Sequence, residues 1–353
     1  MAYLEFKNVR IAGMSAGVPK HISSNLHPDS NVSFAEHTAP EDFVKTTGVI
    51  ERRTSQTLCT SDLCYAAAEK LISELGWDRK EIEAIVFVSQ TADYILPCTA
   101  CILQERLGLS KECYATDCSL GCSGWVYGLS QILGLLSAGS IKKALLLCGD
   151  AKKRAACPSD PLFGSAGTAT AVEYVEGAKG FQFHLGTDGS GYDAIITPDG
   201  GSRNQVSPDS FKPEEFEGKK MHRLQTRMKG MDVFGFGISV PPKSIKKLAE
   251  HYSFNYLDAD YYIFHQANMK MVNMIAKKLK LSSEKVPSCM DHFGNTSSAS
   301  IPLTIVTQIK EQVKSKPTKF ICCGFGVGLS WGSVAFETSD IIIPDLVEVE
   351  ELQ

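Results

Sequence analysis

The sequence predicts an α/β fold of two similar lobes, and three observations carry that expectation. Strand-like runs alternate with helix-like runs through the first half of the chain. A second series of the same kind begins near Gly180. The 353 residues are 43% hydrophobic, enough to bury one large core or two ordinary ones.

In chain order, residues 9–13 read as a strand, 61–75 as a helix, 84–88 as a strand and 97–107 as a helix. Residues 125–136 follow as a helix and 144–148 as a strand. In the second series a helix is expected over 241–251, a strand over 261–264, a helix after His265 and another over 301–313. A strand pair is expected around 320–323 and 332–336. This order places a lobe over 1–178, a second over 179–336 and an extension over 337–353, with the boundary at 177–180. No repeat shows at the level of residue identity, so the duplication rests on element order. Residues 187–230, rich in Gly, Pro, Asp, Ser and charge, read as an irregular excursion at a substrate entrance. Residues 337–353, acidic after a short apolar run, read as a surface extension.

Lysine plus arginine number 36 against 40 acids, a formal charge of -4. Such a balance gives no global field to gather nucleic acid or an anionic membrane, so neither is an expected partner. The N-terminus lacks the basic and apolar regions of a signal peptide, and the apolar stretch 125–138 is interrupted and too short to cross a bilayer. The chain is expected to be cytoplasmic. Most of its 12 cysteines should then be reduced and quiet.

One cysteine stands apart. In Asp117-Cys118-Ser119-Leu120-Gly121-Cys122-Ser123-Gly124 a strand ends, and small residues lead into a helix apolar almost all round, as a buried central helix is. Cys122 is expected at a buried helix N-terminus, where backbone N–H groups and the positive end of the dipole favour a thiolate. The Cys122 N–H would then bond an oxyanion. The competing reading is a small residue packed beneath a helix. Cys113, Cys118 and Cys122 are spaced by five and four residues, which match no Cys-x-x-Cys metal pair. Cys98 and Cys101 have the redox spacing but follow Pro97 in a helix, outside a thioredoxin-like context.

His265 ends the run Tyr261-Tyr262-Ile263-Phe264, where side chains reach the open end of an α/β sheet. Asn295 lies in His292-Phe293-Gly294-Asn295-Thr296-Ser297. Alone, the histidine reads equally as a hydrogen-bonded structural residue and the asparagine as an ordinary turn. Together with Cys122 they form a set able to acylate a thiol and stabilise an enolate through neutral donors. A papain-like protease uses the same three residue types, but its Cys-Gly-Ser-Cys-Trp context is absent. Gly324-Phe325-Gly326-Val327-Gly328 lies between two strands and opens no helix, so it suits close backbone approach rather than dinucleotide binding.

These motifs, with Ile11-Ala12-Gly13, Thr47-Gly48-Val49-Ile50-Glu51-Arg52-Arg53 and Trp331-Gly332-Ser333, resemble the type III β-ketoacyl-acyl-carrier-protein synthases of the thiolase superfamily over nearly the whole chain. The resemblance implies a five-layered αβαβα fold with two duplicated βα lobes, a homodimer, and no metal or redox cofactor. It implies that Cys122 carries the acyl group, its carbonyl oxygen held by the N–H groups of Cys122 and Val327. His265 and Asn295 would hold the thioester carbonyl of malonyl-acyl carrier protein as carbon dioxide leaves. On the helix after His265, Lys270, Lys277 and Lys280 read by pattern as a solvated face. The resemblance makes them a carrier-protein docking site.

Leu96 stands where short-chain relatives often have phenylalanine reaching the neighbouring subunit's acyl pocket, and residues 156–164 look shorter than their counterpart. Asp42 and Ile50 replace the Trp and Arg that clasp coenzyme A, so the primer is expected on either coenzyme A or an acyl carrier protein. Hydroxymethylglutaryl-coenzyme A synthases need a general-acid glutamate near Ser89-Gln90-Thr91, a run without an acid. The remaining rivals are a condensing or acyl-transfer enzyme of specialised metabolism on the same fold and a non-catalytic carrier-binding protein.

Overall fold

The computed structural model describes residues 2–29, 32–34, 38–151 and 160–352. Residues 156–159 of the segment read as short therefore lie outside the described residues. The strands of the two large sheets are numbered here in chain order. They are β1 (Ala2–Phe6), β2 (Val9–Pro19), β3 (Ala84–Val88), β4 (Tyr114–Cys118), β5 (Lys143–Asp150) and β6 (Ala166–Tyr174), then β7 (Phe181–Thr187), β8 (Tyr261–Phe264), β9 (Thr318–Gly326), β10 (Ser330–Thr338) and β11 (Val347–Val349). The helices are α1 (Pro40–Thr47), α2 (Thr60–Leu75), α3 (Thr99–Arg106), α4 (Gly124–Ser137), α5 (Gly230–His251), α6 (Met269–Leu279), α7 (Met290–Phe293), α8 (Ser300–Gln308) and α9 (Lys310–Ser315).

One sheet has six strands in the order β11-β2-β6-β5-β3-β4, and the other has five in the order β1-β7-β10-β9-β8. Within them β2-β6-β5-β3 and β7-β10-β9-β8 follow the same plan. The first strand pairs antiparallel with the last, the last antiparallel with the one before it, and that one parallel with the second. The duplication invisible in residue identity is thus plain in strand pairing.

Side-chain alternation along the strands sorts the helices into layers. On β3, Val86 and Val88 face a central core with Trp125 and Leu129 of α4, and Ile85 and Phe87 face α2 and α3. On β8, Ile263 points to that same central core while Tyr262 and Phe264 meet α5 and α6. The result is α2 and α3, the six-stranded sheet, α4 and α8, the five-stranded sheet, and α5 and α6. Continuing the alternation past Phe264 sends His265 into the central layer.

Three elements differ from expectation. The helix expected over 241–251 begins at Gly230 and carries Pro241 and Pro242 inside it. A proline pair reads as a helix start because it supplies no N–H to the preceding turn. Here both prolines are buried, and the Ile238 carbonyl left without the Pro242 N–H accepts from Lys278 Nζ at 2.9 Å. The helix expected over 301–313 breaks at Ile309 into α8 and α9.

Nor is the tail beyond residue 337 a peripheral extension. Ile341 and Ile343 are buried in the central core, Ile342 exchanges backbone hydrogen bonds with Ala12 and Met14, and β11 pairs parallel with Gly17–Pro19 of β2. At the other end β1 joins the five-stranded sheet through β7. The expected lobes 1–178 and 179–336 therefore each lend or receive a terminal strand. The excursion 187–230 is folded on short antiparallel pairs, 195–196 with 227–228 and 214–216 with 219–221. Among the described residues no helix is long and apolar enough to cross a membrane.

Candidate active site

The two central helices begin at the same place. A Cβ at Gly124, the first residue of α4, would lie 3.1 Å from the Ser298 Cβ, two residues before α8. Cys122 precedes α4 by two residues, and Asn295 precedes α8 by five. His265, at the C-terminal end of β8, reaches the same spot: its Nδ1 lies 2.9 Å from the Ser300 Oγ at the start of α8. Sequence positions far apart thus meet because two helix N-termini and one strand end converge in the middle layer. The positive ends of both helix dipoles face this point, which favours a thiolate or an oxyanion there.

Cys122 is partly exposed, and the glycines at the end of β9 fit against it. A Cβ on Gly326 would fall 2.6 Å from the Cys122 Cβ and 3.0 Å from its Sγ, so only glycine permits that approach. Val327 lies beside Gly121: a Cβ there would come 3.0 Å from the Val327 Cγ1. The following Gly328 has φ of 145°, open to glycine alone. The Ser330 Oγ donates to the Val327 carbonyl at 2.8 Å and also lies 2.7 Å from the Ser123 Oγ at the N-cap of α4. The glycine turn and the start of α4 are thereby tied together.

Burial quiets several other thiols. It pushes Cys289 and Cys323 up to about 12, Cys113 up to about 11, and Cys64, Cys148 and Cys322 well above the ordinary thiol value.

His265 is 1% exposed and lies edge-on to Phe325, ring centroids 5.5 Å apart at 82°. The Ser300 hydroxyl has one proton and two neighbours, the Ser297 carbonyl at 2.8 Å and His265 Nδ1. When it donates to Nδ1, the neutral imidazole carries its proton on Nε2 and becomes a donor there. Asn295 is oriented with less ambiguity. Its Oδ1 accepts from the Ser297 N–H at 2.9 Å, so its amide group is turned outward as the donor. Its backbone is clamped from both sides, donating to the Leu162 carbonyl and accepting from the Gly164 N–H.

The sequence reading missed three residues that shape this site. Ser300 sets the histidine, and its only signal was a serine-rich run after Asn295. Arg52, quoted only as part of a motif, is fully buried and donates to the Asp160 carbonyl at 2.9 Å and the Phe163 carbonyl at 3.3 Å. The Phe163 carbonyl lies within the segment 162–164 that clamps Asn295, and the Asp160 carbonyl lies two residues before it. Finally, the strand end Ser89-Gln90-Thr91 does receive an acid. Asp150, ending β5, is buried there, its Oδ1 accepting from the Ser89 hydroxyl, the Gln90 N–H and the Thr91 hydroxyl. It comes from a neighbouring strand, which a reading along one run does not find.

The remaining expected residues lie on the surface. Lys270 and Lys277 are exposed on α6, opposite the buried Met271, Ile275 and Leu279. Lys270 Nζ stands 5.6 Å from the centroid of the Phe234 ring. Lys280 is not on the helical face but caps α6 in the left-handed conformation. Leu96 is 84% exposed, beside Ile95 and Tyr94, which are also exposed.

The repeated strand order and the five layers define a thiolase-like fold, the architecture of condensing enzymes. Residues 116–189 match the family description 3-oxoacyl-[acyl-carrier-protein] synthase III, and residues 250–338 match its C-terminal counterpart. A putative 3-oxoacyl-[acyl-carrier-protein] synthase 3 of Campylobacter jejuni is 31% identical, with 97% of each chain covered. The β-ketoacyl-[acyl-carrier-protein] synthase III of Clostridium acetobutylicum is 31% identical over 94% of this chain and 98% of its own. Among solved structures, a 3-oxoacyl-(acyl-carrier protein) synthase of Burkholderia xenovorans superposes with a TM-score of 0.90 at 37% identity, covering 99% of both chains. The chain belongs to the 3-oxoacyl-[acyl-carrier-protein] synthase III family of acyltransferases.

Proposed function

We propose that this chain catalyses the decarboxylating Claisen condensation of an acyl primer with malonyl-acyl carrier protein in fatty acid biosynthesis, through Cys122, His265 and Asn295. The observation that carries this reading is the meeting of those three residues at the paired N-termini of α4 and α8 in a chain of this family.

The Cys122 thiolate attacks the primer thioester carbonyl. A carbon–sulfur bond forms, the carrier thiol leaves, and the oxyanion is held by the N–H groups of Cys122 and Val327. Malonyl thioester then enters with its carbonyl oxygen against His265 Nε2 and the Asn295 amide. The bond to its carboxylate breaks, carbon dioxide leaves, and the electron pair becomes an enolate held by those two neutral donors. The enolate carbon attacks the acyl-Cys122 carbonyl, and the Cys122 thiolate is expelled as product forms. Fixed donors in a dry site suit a charge that exists only along the reaction path.

Lys270, Lys277 and Lys280 dock the acidic carrier protein beside α1, where a Cβ at Gly48 would come 2.7 Å from the Met269 Cβ at the start of α6. The primer rides on coenzyme A or on the carrier protein. The working form is a cytoplasmic homodimer. Supporting a second copy, β4 is the outer strand of its sheet, with Tyr114 47% exposed, and Ile95 and Leu96 project nearby. In that dimer Leu96 lines the partner's acyl pocket.

Intact mass measurement and peptide mapping after incubation with a panel of acyl thioesters test the reading. A single acyl adduct on Cys122, absent from folded Cys122→Ala, is expected. Condensation product from that variant would end the proposal.

A further inference from the structure

We propose that Gln90 is a specificity-determining residue whose amide selects an acyl primer bearing an oxygen on its chain close to the thioester, a hydroxyacyl or oxoacyl group. The inference rests on the reading of Cys122 as the acyl carrier. It starts from Gly121, the residue before that cysteine. A Cβ at Gly121 would fall 2.3 Å from the Gln90 Oε1, 2.6 Å from its Cδ and 3.0 Å from the Val327 Cγ1. Glycine there leaves room for the Gln90 amide to lie against the backbone that leads into the nucleophile. The amide thus stands at the near end of any chain held on Cys122, with the Val327 methyl groups as an apolar neighbour.

Gln90 is held from behind by Asp150. Its N–H donates to the Asp150 Oδ1 at 2.8 Å, and the same oxygen accepts from the Ser89 hydroxyl at 2.9 Å and the Thr91 hydroxyl at 3.0 Å. Asp150 is 1% exposed at the end of β5, so a buried carboxylate fixes the strand end from which the glutamine projects. Asp150 is a positioning residue in this arrangement.

The amide itself is unspent. Among the described residues the Gln90 side chain makes no hydrogen bond, although it carries two N–H donors and an acceptor. Gln90 is exposed in a single chain, but the role asks it to face the acyl group and not solvent. A second copy seated on Leu96, six residues further along the same loop, closes this pocket rather than blocking it. Under that cover an alkyl chain leaves the amide unpaired, whereas an oxygen on the chain accepts from Nε2. Discrimination then follows from the missing hydrogen bond and not from size.

The test compares butyryl, 3-hydroxybutyryl and acetoacetyl thioesters, chains of equal length that differ in one oxygen, by acylation of Cys122 and by condensation rate. Wild type should favour one of the oxygenated chains over butyryl by about tenfold or more in kcat/KM. Gln90→Leu should bring that ratio to about one by losing activity on the oxygenated chain, and Gln90→Met should do the same. Asp150→Ala should lower the ratio, and Asp150→Asn, which retains an acceptor for the Gln90 N–H, should restore part of it. A wild-type preference for butyryl, or a ratio unchanged in both Gln90 variants, would overturn the proposal. So would equal losses on all three chains, which would make Gln90 part of the chemistry. The catalytic reading fails differently, through the absence of any acyl adduct on Cys122, and this proposal would fall with it; adducts from alkyl chains alone would overturn this proposal only.

Discussion

Ser300 is the residue on which the donor role of His265 turns. Its hydroxyl chooses between the Ser297 carbonyl and His265 Nδ1, and only the second choice leaves Nε2 as a donor. Ser300→Ala should therefore leave acylation of Cys122 intact while slowing condensation about tenfold or more, with Ser300→Thr restoring part of the loss. Single-turnover measurement of the two half-reactions, with the pH profile of the second, separates this from general damage. Equal losses in both halves would refute it. Arg52 acts one step further out, through the carbonyls beside the Asn295 clamp. Cys122, His265 and Asn295 were legible because each ends or precedes an element recognisable by pattern. Ser300, Arg52 and Asp150 were not, because their partners are brought to them only by the fold.

Whole elements carry two further expectations. On the docking role proposed for Lys270 and Lys277, this exposed face of α6 would attract an acidic partner by charge more than by shape. Lys270→Glu with Lys277→Glu should raise KM for malonyl-acyl carrier protein about tenfold, leave malonyl-pantetheine unaffected, and matter less as salt rises. A rise for both substrates would place these lysines in the chemistry instead. On β7, His184 is buried with Nδ1 2.8 Å from the Ser244 Oγ of α5. Burial first, then the Lys247 charge, pushes its imidazole down to about 4. The unfolded chain takes up that proton near the ordinary value of about 6.5, so this contribution is full above that pH and lost as pH falls toward 4, by up to about 3 kcal/mol. Denaturant titrations across that range should show a shallower pH slope for His184→Gln, and identical slopes would contradict it. Element by element, α2, α4, β3 and β8 follow from periodicity to within a residue or two. The start of α5 does not, because Lys278 from another helix compensates a proline that sequence rules treat as a boundary.

At the scale of the whole molecule, the five layers followed from alternation plus resemblance, but the fate of the two ends did not. Nothing in the acidic composition of 337–353 shows that Ile341 and Ile343 are core residues, since burial there is decided by β2 and not by local pattern. Ending the chain after Asp340 should cost about 3 kcal/mol or more in lost apolar burial and lower the melting temperature by several degrees. An unchanged melting curve would show the tail to be dispensable. The exchange of terminal strands also bears on how the protein is born. A growing polypeptide can build α2, α4 and most of the first sheet early, yet the edge at β2 stays unpaired until residues 341–349 have left the ribosome. One edge of the first sheet is thus open while the second half is being made, and it closes only once residues 341–349 have emerged.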